Sequence, residues 1–397
     1  MLRILFVGDF CPINRVAGLI RRGRSAEIYG DLLGKLADKD LSVVNLECPL
    51  TRRRSPIAKS GPNLRAHPRA VEALLAGGFD VACMANNHVA DHGPKPVAET
   101  LALLARHRIR TVGAGMDLTD AQRPLRLRRN GKRIALLAFA ENEFTCADER
   151  IAGAWPLDPL ANIEQIRRAR LSADVVIAMV HGGNEYNPFP TPQKVATYRA
   201  FAEAGASAVI GTHPHVPQGG EVHRGVPILY SLGNFVFDWL PGPETPMWSV
   251  GLAARLTFRD RGPTRVEIVG FRAEAQTACL QRLKGRQRQE FLAYLRFLSA
   301  PLARPAELRR YWDAWCAMKG PGVLGRLAGA RRTDGRGFLT ARNVLMCEAH
   351  HELACNYAEL LRKKRLTEAR RYVARVEALQ QGEIPRRSRA ARPAGGA

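Results

Sequence analysis

The chain has 397 residues, with 60 Lys and Arg against 37 Asp and Glu, a formal charge of +23 at pH 7. That length allows one domain of two to three hundred residues plus an extension. No apolar stretch reaches the roughly 18 residues that a transmembrane helix needs.

Residues 1–10 read as a strand rather than a leader, since cleavage after a leader would remove Asp9. The eight cysteines contain no C-x-x-C pair and no disulfide spacing. A cytoplasmic protein with reduced, mostly buried thiols is therefore expected. The basic excess is uneven, +8 on residues 1–271 and +15 on residues 272–397. Such a tail can meet anionic lipid, nucleic acid or a polyanionic polymer. No aromatic–basic binding word accompanies it, so nucleic acid is not the expected partner and an Arg-rich solvated face is the plainer explanation.

In chain order, five apolar runs end in oxygen or imidazole donors. Residues 4–8 lead to Asp9, and residues 41–46 lead to Glu47. Residues 81–85 run into Asn86, Asn87 and His88, with Asp91 close behind. Residues 174–180 end at His181, followed by Asn184 and Glu185. Residues 208–210 break into Gly211-Thr212-His213-Pro214-His215. In an open α/β sheet, ligands bind at the carboxyl ends of the strands. This donor set suits Mn, Fe, Zn or Mg. A surface loop explains any one of the five, but not five in order.

Helices are expected over 25–39, 68–77 and 95–107, the last with Leu101, Leu104 and Ala105 at helical spacing. The loop 51–66 carries Arg52, Arg53, Arg54 and Lys59, which either hold an anionic group or are simply solvated. Strands at 133–140, 250–258 and 264–271 lack ligand types and complete the sheets, as do strands at 227–231 and 235–238 around a turn at Gly233-Asn234. Beyond 271 the pattern turns helical: 280–300, 307–319 and a hairpin over 343–379, with 320–337 a Gly/Arg-rich connector. Cys347, His351 and Cys355 share one helix face and read as packing rather than a zinc site, because no fourth ligand is near. Residues 382–397 are too polar and Pro/Gly-rich to fold.

Six words carry a family resemblance: V-G-D at 7–9, N-L-E-C-P-L-T at 45–51, A-N-N-H-V-A-D-H-G at 85–93, H-G-G-N-E-Y at 181–186, G-T-H-P-H-V-P-Q at 211–218 and S-L-G-N-F-V-F-D at 231–238. They resemble the bacterial capsule-synthesis family of CapA, the poly-γ-glutamate biosynthesis proteins, itself similar to calcineurin-like metallophosphoesterases. The resemblance implies a four-layer α/β/β/α sandwich with a mostly helical C-terminal extension; periodicity alone gives only α/β. The expected division is a CapA-like domain over 1–271, a helical basic extension over 272–380 and a disordered tail over 381–397. Many relatives of the family are anchored in the membrane, a pattern from which this chain departs.

The resemblance also implies a two-metal hydrolase, which needs a carboxylate bridging ions about 3.5–4 Å apart. Glu47 is the candidate bridge. Asp9 and His215 would hold one divalent ion; Asn87, His181 and His213 would hold the other. His88 would face the substrate as general acid or charge stabiliser, oriented by Asp91; the alternative is a structural histidine. Glu185 and Tyr186 would orient His181 or touch substrate, with a purely structural role as the alternative. Gln218, Ser231, Asn234 and Asp238 would line the rim or hold the ligand loop.

Two departures stand out: Asp9-Phe10-Cys11 replaces the usual D-x-H, and Glu47 follows Asn45-Leu46 in place of a G-D bridge. Cys11 is expected to be a buried thiol. The implied function is a metal-dependent hydrolase of phosphoester or γ-glutamyl amide bonds, linked to capsule, poly-γ-glutamate or other polymer biosynthesis. Its substrate would be an anionic polymer or phosphoester, with a polymer synthase as partner. The alternative is a non-catalytic accessory subunit of the same machinery. Either metal assignment requires Glu47 to lie within about 12 Å of the paired imidazoles, roughly three times a bridging distance.

Overall fold

A computed structural model describes residues 1–240, 245–329 and 336–385. Most of the stretch expected not to fold, from 386 onward, lies outside the described residues.

Two sheets form the centre. In the first, strand Leu2–Cys11 lies parallel to Leu41–Leu46, which continues through Val81–Cys83 to Arg110–Val112. On its other side Val250–Phe258 pairs antiparallel, followed by Arg265–Ala273 and Leu280–Arg282, while Asn234–Phe237 joins its end in parallel. The second sheet has Lys132–Ala140, Val175–His181 and Ala208–Thr212 in parallel at its middle. Leu125–Arg129 pairs on one flank, and Val226–Leu229 with Gly220–His223 on the other. The central strands are buried on both faces, which is why they read as unbroken apolar runs.

The sheets approach closely where Gly113 sits: a Cβ there would lie 2.7 Å from the Cβ atoms of Ala85 and Ala138. Helices cover the outer faces, completing the expected α/β/β/α sandwich. Two of them start on strong local signals. Asp158 accepts from the Leu160 and Ala161 amides ahead of Pro159–Ser172, and Thr191 accepts from the Lys194 amide ahead of Pro192–Glu203.

Several expected elements need correction. Residues 25–39 are a 3₁₀ turn over Ser25–Leu32, kinked at Gly30, and then a short helix over Leu33–Leu36. Gly30 has φ +48°, and a Cβ there would sit 2.2 Å from the Leu280 carbonyl oxygen. Close backbone contact with strand Leu280–Arg282 therefore overrides helix propensity. That strand also takes the first residues of the expected 280–300 helix, which instead spans Gly285–Ser299.

The expected connector after 319 is largely helix, because Pro305–Ala328 runs straight through Gly320-Pro321-Gly322. Gly320 lies flush on Tyr357, leaving no room for a Cβ, which would be 2.2 Å from the ring carbon Cγ. Packing against helix Glu348–Arg362 sustains the helix past the breakers. The expected hairpin over 343–379 is four helices: Arg336–Met346, Glu348–Arg362, Leu366–Arg370 and Val373–Gln380. These C-terminal helices share a continuous core with the sheets. Among the described residues, all eight cysteines are free and no helix is long and apolar enough to cross a membrane.

Candidate metal centre

Sheet register creates the site. Asp9 pairs across its strand with Asn45 on one side and Asn234 on the other. In the second sheet, Ala140, His181 and Thr212 share one row. The carboxyl ends of both parallel cores thus meet at one rim, where the chain leaves the strands for loops. A bulge just before Asp9 accompanies Gly8, whose Cβ would lie 1.7 Å from the Gly233 oxygen. Only glycine fits there, and the bulge aims the Asp9 side chain.

Asp9, Glu47, Asn87, His181, His213 and His215 all converge and are all buried. Glu47 Oε1 lies 3.7 Å from His181 Nε2 and 3.6 Å from His215 Nε2. Two donor triads share Glu47, one with Asp9 and His215, the other with His181 and His213, each with its donor atoms within 4.8 Å of one another. Asn87 Oδ1 is 3.0 Å from His181 Nε2, and His213 Nδ1 is also 3.0 Å from that nitrogen. His213 and His215 hold φ values of +92° and +59°, so two ligand-type residues carry left-handed backbone strain.

The electrostatics favour cation ligation. Burial pushes His181 down to about 3 and His213 well below the usual imidazole range, so both rings are neutral and carry lone pairs. Burial also pulls on His215, but contact with Asp9 (3.3 Å) wins and raises it. Burial, then the adjacent Asp9 charge, pushes Glu47 well above the carboxylate range. Neither Glu47 oxygen has a hydrogen-bond partner among the described residues. An unsatisfied buried carboxylate ringed by neutral imidazoles, a carboxamide and a second carboxylate is a donor set that fits a divalent cation on each side.

Around these groups a supporting ring is visible. Asn45 Nδ2 donates to Asp9 Oδ1 at 2.8 Å and lies 3.1 Å from His181 Nδ1. Thr212 Oγ1 contacts that same nitrogen, and Asn234 Oδ1 contacts His215 Nδ1 at 2.9 Å. His88 Nδ1 lies 2.6 Å from Asp91, whose other oxygen pairs with the buried Lys59 at 2.6 Å. Gln218 donates to the Asn187 carbonyl, and Ser231 to the Val216 carbonyl, bracing the ligand loop. Tyr186 is bound through its backbone amide to Pro214, and exposed Glu185 lines the cavity above the site.

Other candidates lie elsewhere. Asp238 is tied to Arg15 and Asn14 rather than to the ligand loop. Of the basic loop, Lys59 reaches the site, while Arg53 pairs with Glu99. Cys11 is buried beside Cys48, and burial raises its thiol. The Cys347–His351–Cys355 face forms no metal-like group among the described residues.

The sequence reading missed Glu141 and Glu143. Strand Lys132–Ala140, expected to carry no ligand type, delivers Glu141 Oε1 to 3.3 Å from His213 Nε2. Glu143 accepts from Asn87 Nδ2 at 3.2 Å, and burial raises its carboxyl to about 7. The word A-E-N-E directly after that apolar run has the same strand-end form as the others. Asn45 and buried Lys194, lowered to about 7 by burial, had no such marker because they sit inside a strand and a helix.

The fold and this rim define an α/β/β/α sandwich with a candidate cation site between its sheets. The chain belongs to the family described as bacterial capsule synthesis protein PGA_cap, which matches residues 3–239. It is 33% identical over 242 residues to the PGA biosynthesis protein CapA of Bacillus subtilis (strain 168), covering 60% of this chain and 64% of that protein. It is 30% identical over 279 residues to the capsule biosynthesis protein CapA of Bacillus anthracis, covering 68% and 66%. The match thus spans about two thirds of the length of these curated relatives. Among solved structures, it is similar to a 5'-nucleotidase precursor from Thermus thermophilus at TM-score 0.40 and 12% identity, covering 67% of this chain and 54% of that one.

Proposed function

We propose that this member of the PGA_cap family is a metal-dependent hydrolase acting on a phosphoester or γ-glutamyl amide during synthesis of capsule, poly-γ-glutamate or a related polymer. The observation that carries this is Glu47, whose two buried oxygens lack partners among the described residues, while two of the three donor triads include it. Asp9, Glu47 and His215 would hold one divalent ion, and Glu47, Asn87, His181 and His213 a second. Bound there, the ions would lower the pKa of water and polarise the scissile group.

The chain's own residues do the rest. Asp91 accepts from His88 Nδ1–H, which leaves Nε2 as the nitrogen that exchanges a proton at the substrate. Burial keeps His88 below its usual range, despite the nearby carboxylate, so to act as the general acid it would first take up a proton. Lys59 holds Asp91 charged and in place, and the Leu64 amide donates to the same carboxylate. Thr212 and Asn234, accepting at His181 Nδ1 and His215 Nδ1, hold those two rings in the tautomer that leaves Nε2 free toward Glu47.

The test is metal analysis of purified protein, together with turnover of bis(p-nitrophenyl) phosphate and a γ-glutamyl peptide in Mn²⁺, Zn²⁺ and Mg²⁺. Bound divalent metal and turnover lost on chelation are expected. Protein that stays metal-free and inert in all three would overturn the proposal and leave an accessory subunit of a synthase.

A further inference from the structure

Four donor atoms crowd one point in the second ion's half of the site. Asn87 Oδ1 and His213 Nδ1 each lie 3.0 Å from His181 Nε2, and Glu47 Oε1 lies 3.7 Å from it. Two of these ligands need a choice of atom. An imidazole can bind a cation through either nitrogen, and the two ends of a carboxamide share one shape.

Glu141 and Glu143 stand behind those two ligands. Glu141 Oε1 lies 3.3 Å from His213 Nε2, the nitrogen opposite the one that faces His181. That oxygen also takes the Gly183 amide at 3.1 Å, so it meets the ring as an acceptor. A neutral imidazole ligating through Nδ1 carries its proton on Nε2, the side where Glu141 sits. Glu143 Oε1 accepts from Asn87 Nδ2 at 3.2 Å, which leaves Oδ1 as the end of the carboxamide turned toward the ion.

The two carboxyl groups are themselves held. Gly182 makes room for one of them, since a Cβ there would lie 3.2 Å from Glu141 Cδ. Between the pair, the Asn142 amide donates to Glu348 at 2.8 Å, and Arg342 donates to the Glu143 carbonyl at 3.4 Å. Helices Arg336–Met346 and Glu348–Arg362, which also line the cavity above the site, thereby fix residues 141–143.

Glu141, Glu143 and His213 bring donor atoms within 4.8 Å of one another, close enough for a cation of their own. Their oxygens argue for support instead. Glu141 Oε1 is taken by Gly183 and Glu143 Oε1 by Asn87, whereas neither Glu47 oxygen has a hydrogen-bond partner among the described residues.

We propose that Glu141 and Glu143 are positioning residues of the second cation site, Glu141 acting through His213 and Glu143 through Asn87; this deepens, and rests on, the two-ion hydrolase reading. Each selects the ligand atom that faces the ion, and neither touches the ion itself.

Full-length protein is titrated with Mn²⁺ and followed by electron paramagnetic resonance, which counts bound ions and shows whether two are magnetically coupled. The comparison uses Glu141→Ala, Glu141→Gln and Glu143→Ala. Wild type should bind two coupled ions. Each Ala variant should hold one ion as wild type does and the other about 10–100-fold more weakly, losing the coupled signal at Mn²⁺ levels that saturate wild type. Glu141→Gln keeps a carbonyl oxygen in place on the Gly183 amide and should recover most of that loss. A merely structural role would weaken both ions alike and lower the thermal midpoint of the metal-free protein.

Wild-type affinity for both ions in the Ala variants overturns the proposal, as do equal losses in Glu141→Ala and Glu141→Gln. A third ion in wild type that the Ala variants lose also overturns it, because the pair would then be ligands. Turnover by a wild type whose ions ignore these substitutions removes the positioning role and keeps the hydrolase. Variant-sensitive binding of two ions by a protein without turnover removes the hydrolase and keeps the positioning role. Wild type that binds no Mn²⁺ removes both.

Discussion

The two sheets and the C-terminal helices contribute to one cavity by different means. In the sheets, the polar residues of the site sit at or just past strand ends, so short apolar runs carry them to a shared rim. In the helices, the residues facing the cavity, such as Trp315, Asn343 and His350, come from three separate segments. A few contacts to the site loops are what bring them to the same place. A sheet end concentrates chemistry by topology, whereas a helical wall does so only through docking.

That contrast can be broken at several points. Glu47→Gln should have the largest effect, cutting turnover by more than the roughly 10–100-fold typical of groups that only support ligands. Retained turnover with bound metal would show that the sheet rim is not the reacting site. Next is Phe189→Ala, which removes the ring joining a site loop to Tyr311 of the helical wall. It should cost about 3–5 kcal/mol in urea unfolding, and a loss below about 1 kcal/mol would mean that the wall is only loosely attached.

Asn45→Ala removes the donor to Asp9 and should lower Mn²⁺ affinity by about 10–100-fold in a metal titration, with the fold intact. Unchanged affinity would separate Asp9 from the cation. Smallest is Thr191→Ala, which loses both the cap of Pro192–Glu203 and the bond to Glu352. About 1 kcal/mol of stability should go with it, and proteolysis of the C-terminal helices should quicken if that bond helps hold the wall.

Much of the fold was legible. Unbroken apolar runs, each ended by a polar word, are what buried parallel strands look like. Asp9, Glu47, Asn87, His181, His213 and His215 were found because each follows such a run or opens the loop after it. Glu141 and Glu143 carried the same signature but fell outside the family words. The chain over 25–39 and the helix through Gly320-Pro321-Gly322 were misjudged for one reason. Gly30 and Gly320 answer to neighbours 250 and 37 residues away, Leu280 and Tyr357, rather than to local propensity.

From the sequence alone came the donor types, their order and the strands that end in them, since alternation and burial leave their mark within a few residues. Tertiary structure alone decided that Glu47, between two triads, is left without a hydrogen-bond partner among the described residues, and that helices outside the family match enclose the space above it. Both depend on register and on docking across hundreds of residues, and periodicity, a short-range property, records neither.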